Sequence, residues 1–511
     1  MSSGLLESSP LDAGVSAHGS ELIQLRRAPT EEWIASRFNA RASDEEGRLI
    51  VWNTMSGAIS VFPPQQRPIA ERLLSRVGFK GELSPFGDYL RERGFIVERS
   101  VDESKRFQLV FGQQHYRMDT LELILMASED CNFRCVYCYE DFARGTMLPS
   151  VREGIKRYVE KRLPDLNQLS ISWFGGEPLY GFEAIEDLGP YFADAVRRYG
   201  LHYRSHMTTN GYLLTPERAS KLFEWDIRHF QITLDGLPEH HNHSRVARDG
   251  SGTFEQIFEN LVALHRRPDE FRIILRTNFD ANNSKSLDQY IDLIATTFAS
   301  DERFEIALHA VGKWGGPNDE ALNVCGTEEM RHVQVNIRRS AREQGLNLGH
   351  GLRDENRPGR KVCYAARPFN FLIGADGKLM KCTVALDKQP NNIVGRVTPE
   401  GEFILNVDNL AMWVDPAWQH DKVCSSCYLV PVCQGLACPM IRINDGRRPC
   451  PSTKSALKSE LLETLELTLP TARAVAVPHA APHALPRSAD ERAPSSADSP
   501  EPTAAALGVA G

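Results

Sequence analysis

The segment Cys131-Asn-Phe-Arg-Cys135-Val-Tyr-Cys138 places three thiols in one short stretch. Thiolates are soft ligands that suit iron–sulfur clusters and zinc. A four-iron cluster needs four ligands, so this loop leaves one iron open. The amine and carboxylate of an amino acid can chelate such an iron. A three-ligand zinc site or a structural cysteine cluster is the competing reading of the loop taken alone. A second set lies downstream. Cys363 is followed by Gly377 and Cys382, then by Cys424-x2-Cys427-x5-Cys433-x4-Cys438, and finally by Cys450. Here the competing reading is a zinc ribbon built on Cys424 and Cys427 with a later pair.

These residues sit in a chain of 511 residues with 11 cysteines. An odd count in a long chain with no basic-then-apolar N-terminus fits metal ligation better than a disulfide framework. The hydrophobic fraction of 41% and charged fraction of 25% are those of a globular protein. The net charge of −8 argues against a general nucleic-acid binder, with room for a local basic patch. No apolar run is long enough to span a bilayer, so a cytoplasmic protein without membrane association is expected.

The elements that must position the thiols follow from the pattern. Leu121–Ala127 reads as an apolar strand leading straight into the three-cysteine loop. Strands follow at Leu169–Phe174, Tyr203–Thr208, His229–Leu234, Phe271–Asn278 and Phe304–Val311. Helices alternate with them. Pro149 and Ser150 start one with Val151, Ile155, Tyr158 and Val159 on one face, and Gly200 stops the next. Thr215-Pro216-Glu217 and Thr253 open two more, and a fifth covers Ser286–Phe298. Six strands with five intervening helices predict right-handed βαβ units and an open, partial (β/α)6 barrel of the α/β class. Chemistry is then expected at the C-terminal ends of the strands.

Residues 21–118 are expected to form a small α+β unit. It has strands at Arg48–Trp52 and Ala58–Phe62, helices near 67–77 and 84–94, and a strand at Phe95–Val97. A winged-helix-like peptide-binding domain and a packing extension of the barrel are both open readings. The barrel core is assigned to 119–311, a bridging segment to 312–360 and a cysteine-rich domain to 361–460. Residues 1–20 and 470–511, rich in small residues and proline, are expected to be disordered.

The three-cysteine loop resembles the CxxxCxΦC signature of the radical S-adenosylmethionine (SAM) superfamily, with Tyr137 at the aromatic position. Further motifs fall at successive strand ends. They are Trp173-Phe174-Gly175-Gly176-Glu177-Pro178, similar to the family's GGE motif, then Thr208-Thr209-Asn210-Gly211 and Thr233-Leu234-Asp235-Gly236 with Arg245 close behind, and Arg276 with Asn278 on the fifth strand. The resemblance implies a SAM-binding [4Fe–4S] cluster on Cys131, Cys135 and Cys138, with SAM bound by Tyr137, Gly175, Gly176, Glu177, Asn210, Thr233 and Arg276. It implies reductive cleavage of SAM to a 5′-deoxyadenosyl radical. No catalytic side chain is assigned beyond the cluster. The polar stretch with His240, His241 and His243 reads as a loop.

The downstream cysteines resemble the SPASM domain of peptide- and protein-modifying members, which binds one or two auxiliary [4Fe–4S] clusters. By that analogy Cys424, Cys427, Cys433 and Cys450 hold one. Cys363, Cys382 and Cys438 hold the other, with an open iron or with Cys325 as fourth ligand. The usual pattern has three residues before the sixth cysteine, and here Gln434–Ala437 makes four. The resemblance implies a ribosomal-peptide maturase that installs a thioether, carbon–carbon or related modification. Its partners would be a precursor peptide and an electron donor such as flavodoxin or ferredoxin. An anaerobic sulfatase maturase making formylglycine is the alternative, although such enzymes carry Asp after the cysteine of the Gly-x4-Cys segment, where Thr383 stands here. A non-catalytic iron–sulfur or zinc protein is the alternative of another class.

Overall fold

The computed structural model describes residues 32–349 and 357–468. The segments expected to be disordered, 1–20 and 470–511, lie outside the described residues. Strands β1 (Glu32–Ala35), β2 (Asn39–Ser43), β3 (Leu49–Asn53), β4 (Ile59–Phe62), β5 (Phe79–Lys80) and β6 (Ile96–Glu98) form two small antiparallel sheets, in the orders β5-β1-β6 and β2-β3-β4. Helices Arg67–Leu73 and Pro85–Glu92 pack with them. Phe62 meets Phe86 and Tyr89 edge-on over Leu49, Val51, Leu90 and Phe95. The opposite side, with Ala40, Ile50 and Trp52, packs against Leu429, Val432 and Leu461. This unit is therefore bonded to the cysteine-rich segment through its own core.

The parallel strands follow as read, with boundaries moved by a residue or two. They are β7 (Thr120–Ser128), β8 (Gln168–Gly175), β9 (His202–Thr209), β10 (His229–Thr233), β11 (Arg272–Phe279) and β12 (Phe304–Ala310). The alternation is clear in β8. Leu169, Ile171 and Trp173 are buried under the helices, whereas Gln168, Ser170 and Ser172 are half-buried on the other face. Helix caps are local. Thr215 accepts the Arg218 N–H, and Gly200 ends the helix Phe182–Tyr199 in a left-handed turn at φ +63°.

Two features differ from the sequence reading. The segment 312–360 is more than a bridge, because it contains the helix Thr327–Glu343, whose Ile337 and Ala341 are buried against the barrel core. The cysteine-rich segment is not separate from the barrel. Its strands β13 (Asn370–Ile373), β14 (Lys378–Met380), β15 (Ile393–Val397) and β16 (Phe403–Leu405) extend the barrel sheet into ten strands, in the order β12-β11-β10-β9-β8-β7-β13-β14-β15-β16. β13 runs parallel to β7, with Asn370 opposite Glu122 and Ile373 opposite Leu125. The remaining three are antiparallel. Among the described residues, no helix is long and apolar enough to cross a membrane.

Arg303 ties the start of β12 to the preceding segment. It donates to the carbonyls of Arg267 at 2.7 Å and His265 at 2.8 Å, and to the Asp301 carboxylate at 2.7 Å. His265 Nδ1 also lies 2.8 Å from Asp301. Burial opposes ionisation of Asp301, but the bonds from Arg303 and His265 outweigh it and hold the carboxyl at about 2. The folded-state value lies below the unfolded one, so this contribution is complete above about pH 4 and is lost as pH falls towards 2. Asp301→Asn is expected to cost about 1 kcal/mol at pH 7, allowing for solvent screening at the barrel rim. It should also flatten the fall in melting temperature between pH 4 and 2. Thermal unfolding across that window would show an unchanged slope if the carboxylate were inert.

Candidate functional site

β7 delivers the chain to the three-cysteine loop at the C-terminal end of the sheet. Asp130 Oδ1 accepts the Cys131 N–H at 2.8 Å, and its carboxylate also pairs with Arg134 at 3.2 Å and Arg248 at 3.1 Å. Arg134 donates back to the carbonyls of Cys131 and Phe133, at 2.7 and 2.6 Å. Backbone bonds from Arg134 N to Val246 O and from Val136 N to Ser244 O sew the loop to the segment after β10. Cys135 lies within electrostatic reach of both Cys131 and Cys138. Burial pushes all three up, Cys138 to about 12. Thiols so enclosed stay protonated unless a metal's positive charge ionises them.

The glycines of the second motif have a steric reason. A Cβ on Gly175, at φ +124°, would lie 2.0 Å from Ser128 O. A Cβ on Gly176 would lie 2.8 Å from the carbonyls of Glu129 and Asp130. The end of β8 thus presses on the residues just before Cys131. The neighbouring carboxylate completes this brace. Glu177, fully buried, accepts from Leu179 N at 2.9 Å, Thr209 Oγ1 at 2.7 Å and Asn210 N at 2.7 Å. Asn210 in turn donates its side-chain amide to Asn132 Oδ1 at 2.8 Å and reaches Cys131 Sγ at 3.9 Å. Glu177 and Asn210 therefore hold the cysteine loop in place.

Deeper in the barrel mouth, the Tyr137 hydroxyl donates to the Asp235 carboxylate. It accepts from Arg245 Nη1 at 2.7 Å and Asn278 Nδ2 at 3.0 Å. Arg276 Nε reaches Asn278 Oδ1 at 2.9 Å. Thr233 is buried at the end of β10, opposite Arg276. Asp235 and Arg245 are the hub of this network, although the sequence offers them only as residues of a turn and its sequel. The Nε of Arg245 is buried without a hydrogen-bond partner. A buried cation with an unspent donor, next to Cys135, is suited to the carboxylate of an amino acid chelated at an open iron. The residues present therefore fit a cluster-bound SAM.

The histidine stretch is helical, Pro238–Ser244, rather than a loop. His241 is buried, accepting the Asp235 N–H at 3.1 Å and meeting Thr253 Oγ1 at 3.1 Å, so it supports the site from behind. Glu140, two residues past Cys138, escaped the sequence reading. Burial, then Glu129 and Asp141, push it up to about 8 against the pull of Lys388.

The remaining cysteines gather in two further groups. Cys363, Cys382 and Cys438 are mutual neighbours. Cys424, Cys427, Cys433 and Cys450 form the other group. The four residues before Cys438 include two consecutive left-handed ones, Gln434 at φ +50° and Gly435 at φ +65°. Asn392 clamps the Cys382 turn, accepting from its N–H and donating to its carbonyl, at 2.8 and 2.9 Å. Thr383 meets the Tyr364 hydroxyl at 2.7 Å through its side chain and at 2.9 Å through its N–H. Cys325 lies beside Glu329 and Asp280. Among the described residues, no three Cys, His, Asp or Glu side chains close on a single ion, so these groups are thiol neighbourhoods rather than finished ion sites.

Comparison with known proteins agrees with this geometry. Residues 126–289 match the radical SAM superfamily. A cysteine-type anaerobic sulfatase-maturating enzyme of Clostridium novyi is 24% identical over 61% of this chain and 86% of its own length. The radical SAM cyclopropyl synthase TigE of Paramaledivibacter caminithermalis is 24% identical, over 39% of this chain and 45% of its own. Among solved structures, anSMEcpe with bound AdoMet superposes with a TM-score of 0.52 at 16% identity, covering 68% of this chain and 97% of that one. The same protein with AdoMet and the Cp18Cys peptide gives 0.51 at 17% identity, with the same coverage.

Proposed function

This chain is a radical SAM enzyme, and from that premise we propose that it modifies a ribosomally made peptide, installing a crosslink or a related oxidative change. The observation that carries the reading is the sorting of ten cysteines into neighbourhoods of three, three and four. When bound, a reduced cluster and SAM supply the 5′-deoxyadenosyl radical that removes hydrogen from substrate carbon. In this reading Cys131, Cys135 and Cys138 ligate that cluster. Arg245 and Arg276 hold the SAM carboxylate, and the Gly175–Gly176 backbone shapes the methionyl side of the site. Cys363, Cys382 and Cys438, and separately Cys424, Cys427, Cys433 and Cys450, hold auxiliary clusters, one of which can take up the electron left on substrate. A peptide substrate is supported by the solved relative that carries one.

We read residues 21–118 as the unit that captures the peptide's leader. The edge strand β4 offers backbone groups to an added strand, in the manner of strand addition to other sheets. The second reading, formylglycine formation, is favoured by the Clostridium novyi relative, which matches over most of its length. Against it stands Thr383, whose hydroxyl is engaged by Tyr364 where a carboxylate base is required.

One experiment separates the two. Reduced, fully loaded protein is given SAM and either a precursor peptide encoded beside its gene or a sulfatase-derived cysteine peptide, and the products are analysed by mass spectrometry after hydrazine treatment. Modification of the precursor without a hydrazine-reactive aldehyde is expected, together with weaker calorimetric binding once the leader half is removed. Turnover of the sulfatase peptide to an aldehyde would replace this reading by the other.

A further inference from the structure

We infer that the exposed face around Cys450 is the docking surface for an acidic one-electron carrier protein. The inference rests on the proposed assignment of a cluster to Cys424, Cys427, Cys433 and Cys450. The chain as a whole is acidic, with 67 Asp and Glu against 59 Lys and Arg. Around Cys450 the cations Arg442, Arg447, Arg448, Lys454 and Lys458 outnumber the nearby carboxylates Asp421, Asp445 and Glu460. Cys450 is the one exposed thiol among the eleven cysteines. Lys454 Nζ approaches Cys450 Sγ at 3.6 Å. Arg448 and Lys454 both act on the Cys424 and Cys450 thiols. The side chains of Arg447 and Arg448 are 71% and 53% exposed, so most of their charge faces solvent despite pairing with Asp445 and Asp421. Val423, beside Cys424, adds an exposed apolar spot inside the charged rim.

The groups of Cys131 and Cys363 offer no comparable approach, since all their thiols are buried or half-buried. Electron transfer weakens steeply with distance, so a carrier must meet a cluster where it nears the surface. A positive rim around such a point steers a negatively charged partner and orients its docking. The step is a single-electron exchange. The reduced carrier loses one electron, the cluster held by Cys424, Cys427, Cys433 and Cys450 gains it, and no proton or bond is transferred.

The test uses the full-length protein, anaerobically loaded with iron and sulfide, mixed in a stopped-flow instrument with flavodoxin hydroquinone. Flavin oxidation is followed at rising salt. The wild-type rate should fall steeply with ionic strength. The Arg447→Glu/Lys458→Glu variant, altered away from the thiols, should be slower by about tenfold at low salt and nearly salt-independent. Iron content and the reduced-cluster electron paramagnetic resonance signal should match wild type. A fully loaded variant with the wild-type rate and salt dependence would overturn the docking surface. Loss of iron from this variant would also overturn it, since the cations would then serve to offset thiolate charge. Wild-type protein that binds no iron at these four cysteines fails the underlying assignment instead, and Cys450→Ala protein with unchanged iron content identifies that outcome.

Discussion

Cys131→Ala protein, reconstituted without oxygen and reduced, is expected to release no 5′-deoxyadenosine from SAM. Cys131 is the most enclosed thiol of the loop, with the Phe133 N–H 3.3 Å from its sulfur and the Asn210 amide at 3.9 Å. Alanine leaves two thiols for a cluster that needs three protein ligands, so the loss should be complete rather than graded. The other two cysteine groups sit on different segments, Cys363–Cys438 and Cys424–Cys450, and should keep their iron. The loaded variant should therefore lose one cluster's share of iron and sulfide and retain the rest. Nucleoside release above the level of protein-free controls would mean that SAM cleavage does not depend on this loop.

Gly175→Ala should be nearly as damaging, by a different route. The added Cβ would meet Ser128 O at 2.0 Å, at a φ that side chains rarely adopt. The end of β8 would have to withdraw from Ser128, whose carbonyl accepts the Gly176 N–H at 3.1 Å. Glu177 and its bonds to Thr209 and Asn210 would move with it. A loss of about 3 kcal/mol or more is expected, seen as a melting temperature lower by several degrees and as poor iron uptake at the first site. Gly112→Ala is the matched control. Its Cβ would enter open space within the helix Glu103–His115, and it should be neutral or slightly stabilising. Equal behaviour of the two variants would show that the close approach at Gly175 carries no weight.

Much of the barrel was legible because its signals are local. Alternation of Leu169, Ile171 and Trp173 marks β8, and Thr215 and Gly200 mark helix ends whatever the rest of the chain does. The three-cysteine loop was legible for the same reason. The network behind it was less so. Asp235 and Arg245 meet Tyr137 across about a hundred residues of sequence, and nothing near either of them announces that contact. Glu177 reads in the sequence only as ligand-facing, and its bonds to Thr209 and Asn210, more than thirty residues on, are not legible there. The joining of the cysteine-rich strands to β7 was invisible, because pairing between distant strands leaves no local periodicity. Cys325 stands open in the sequence between fourth ligand and plain thiol, and its charged neighbours are Glu329 and Asp280.

The pairing of β7 with β13 also bears on how the protein is made. β7 bonds to β8 on one side early in the chain, but its other edge waits for Asn370–Ile373, about 250 residues later. At ribosomal speeds of roughly 5–20 residues per second, that edge stays bare for tens of seconds. It is flanked by Leu121, Leu123 and Leu125, and an unpaired apolar strand edge is a template for aggregation. The barrel cannot be finished before the cysteine-rich segment leaves the ribosome. That interval is when the nascent chain is most exposed to edge-to-edge aggregation.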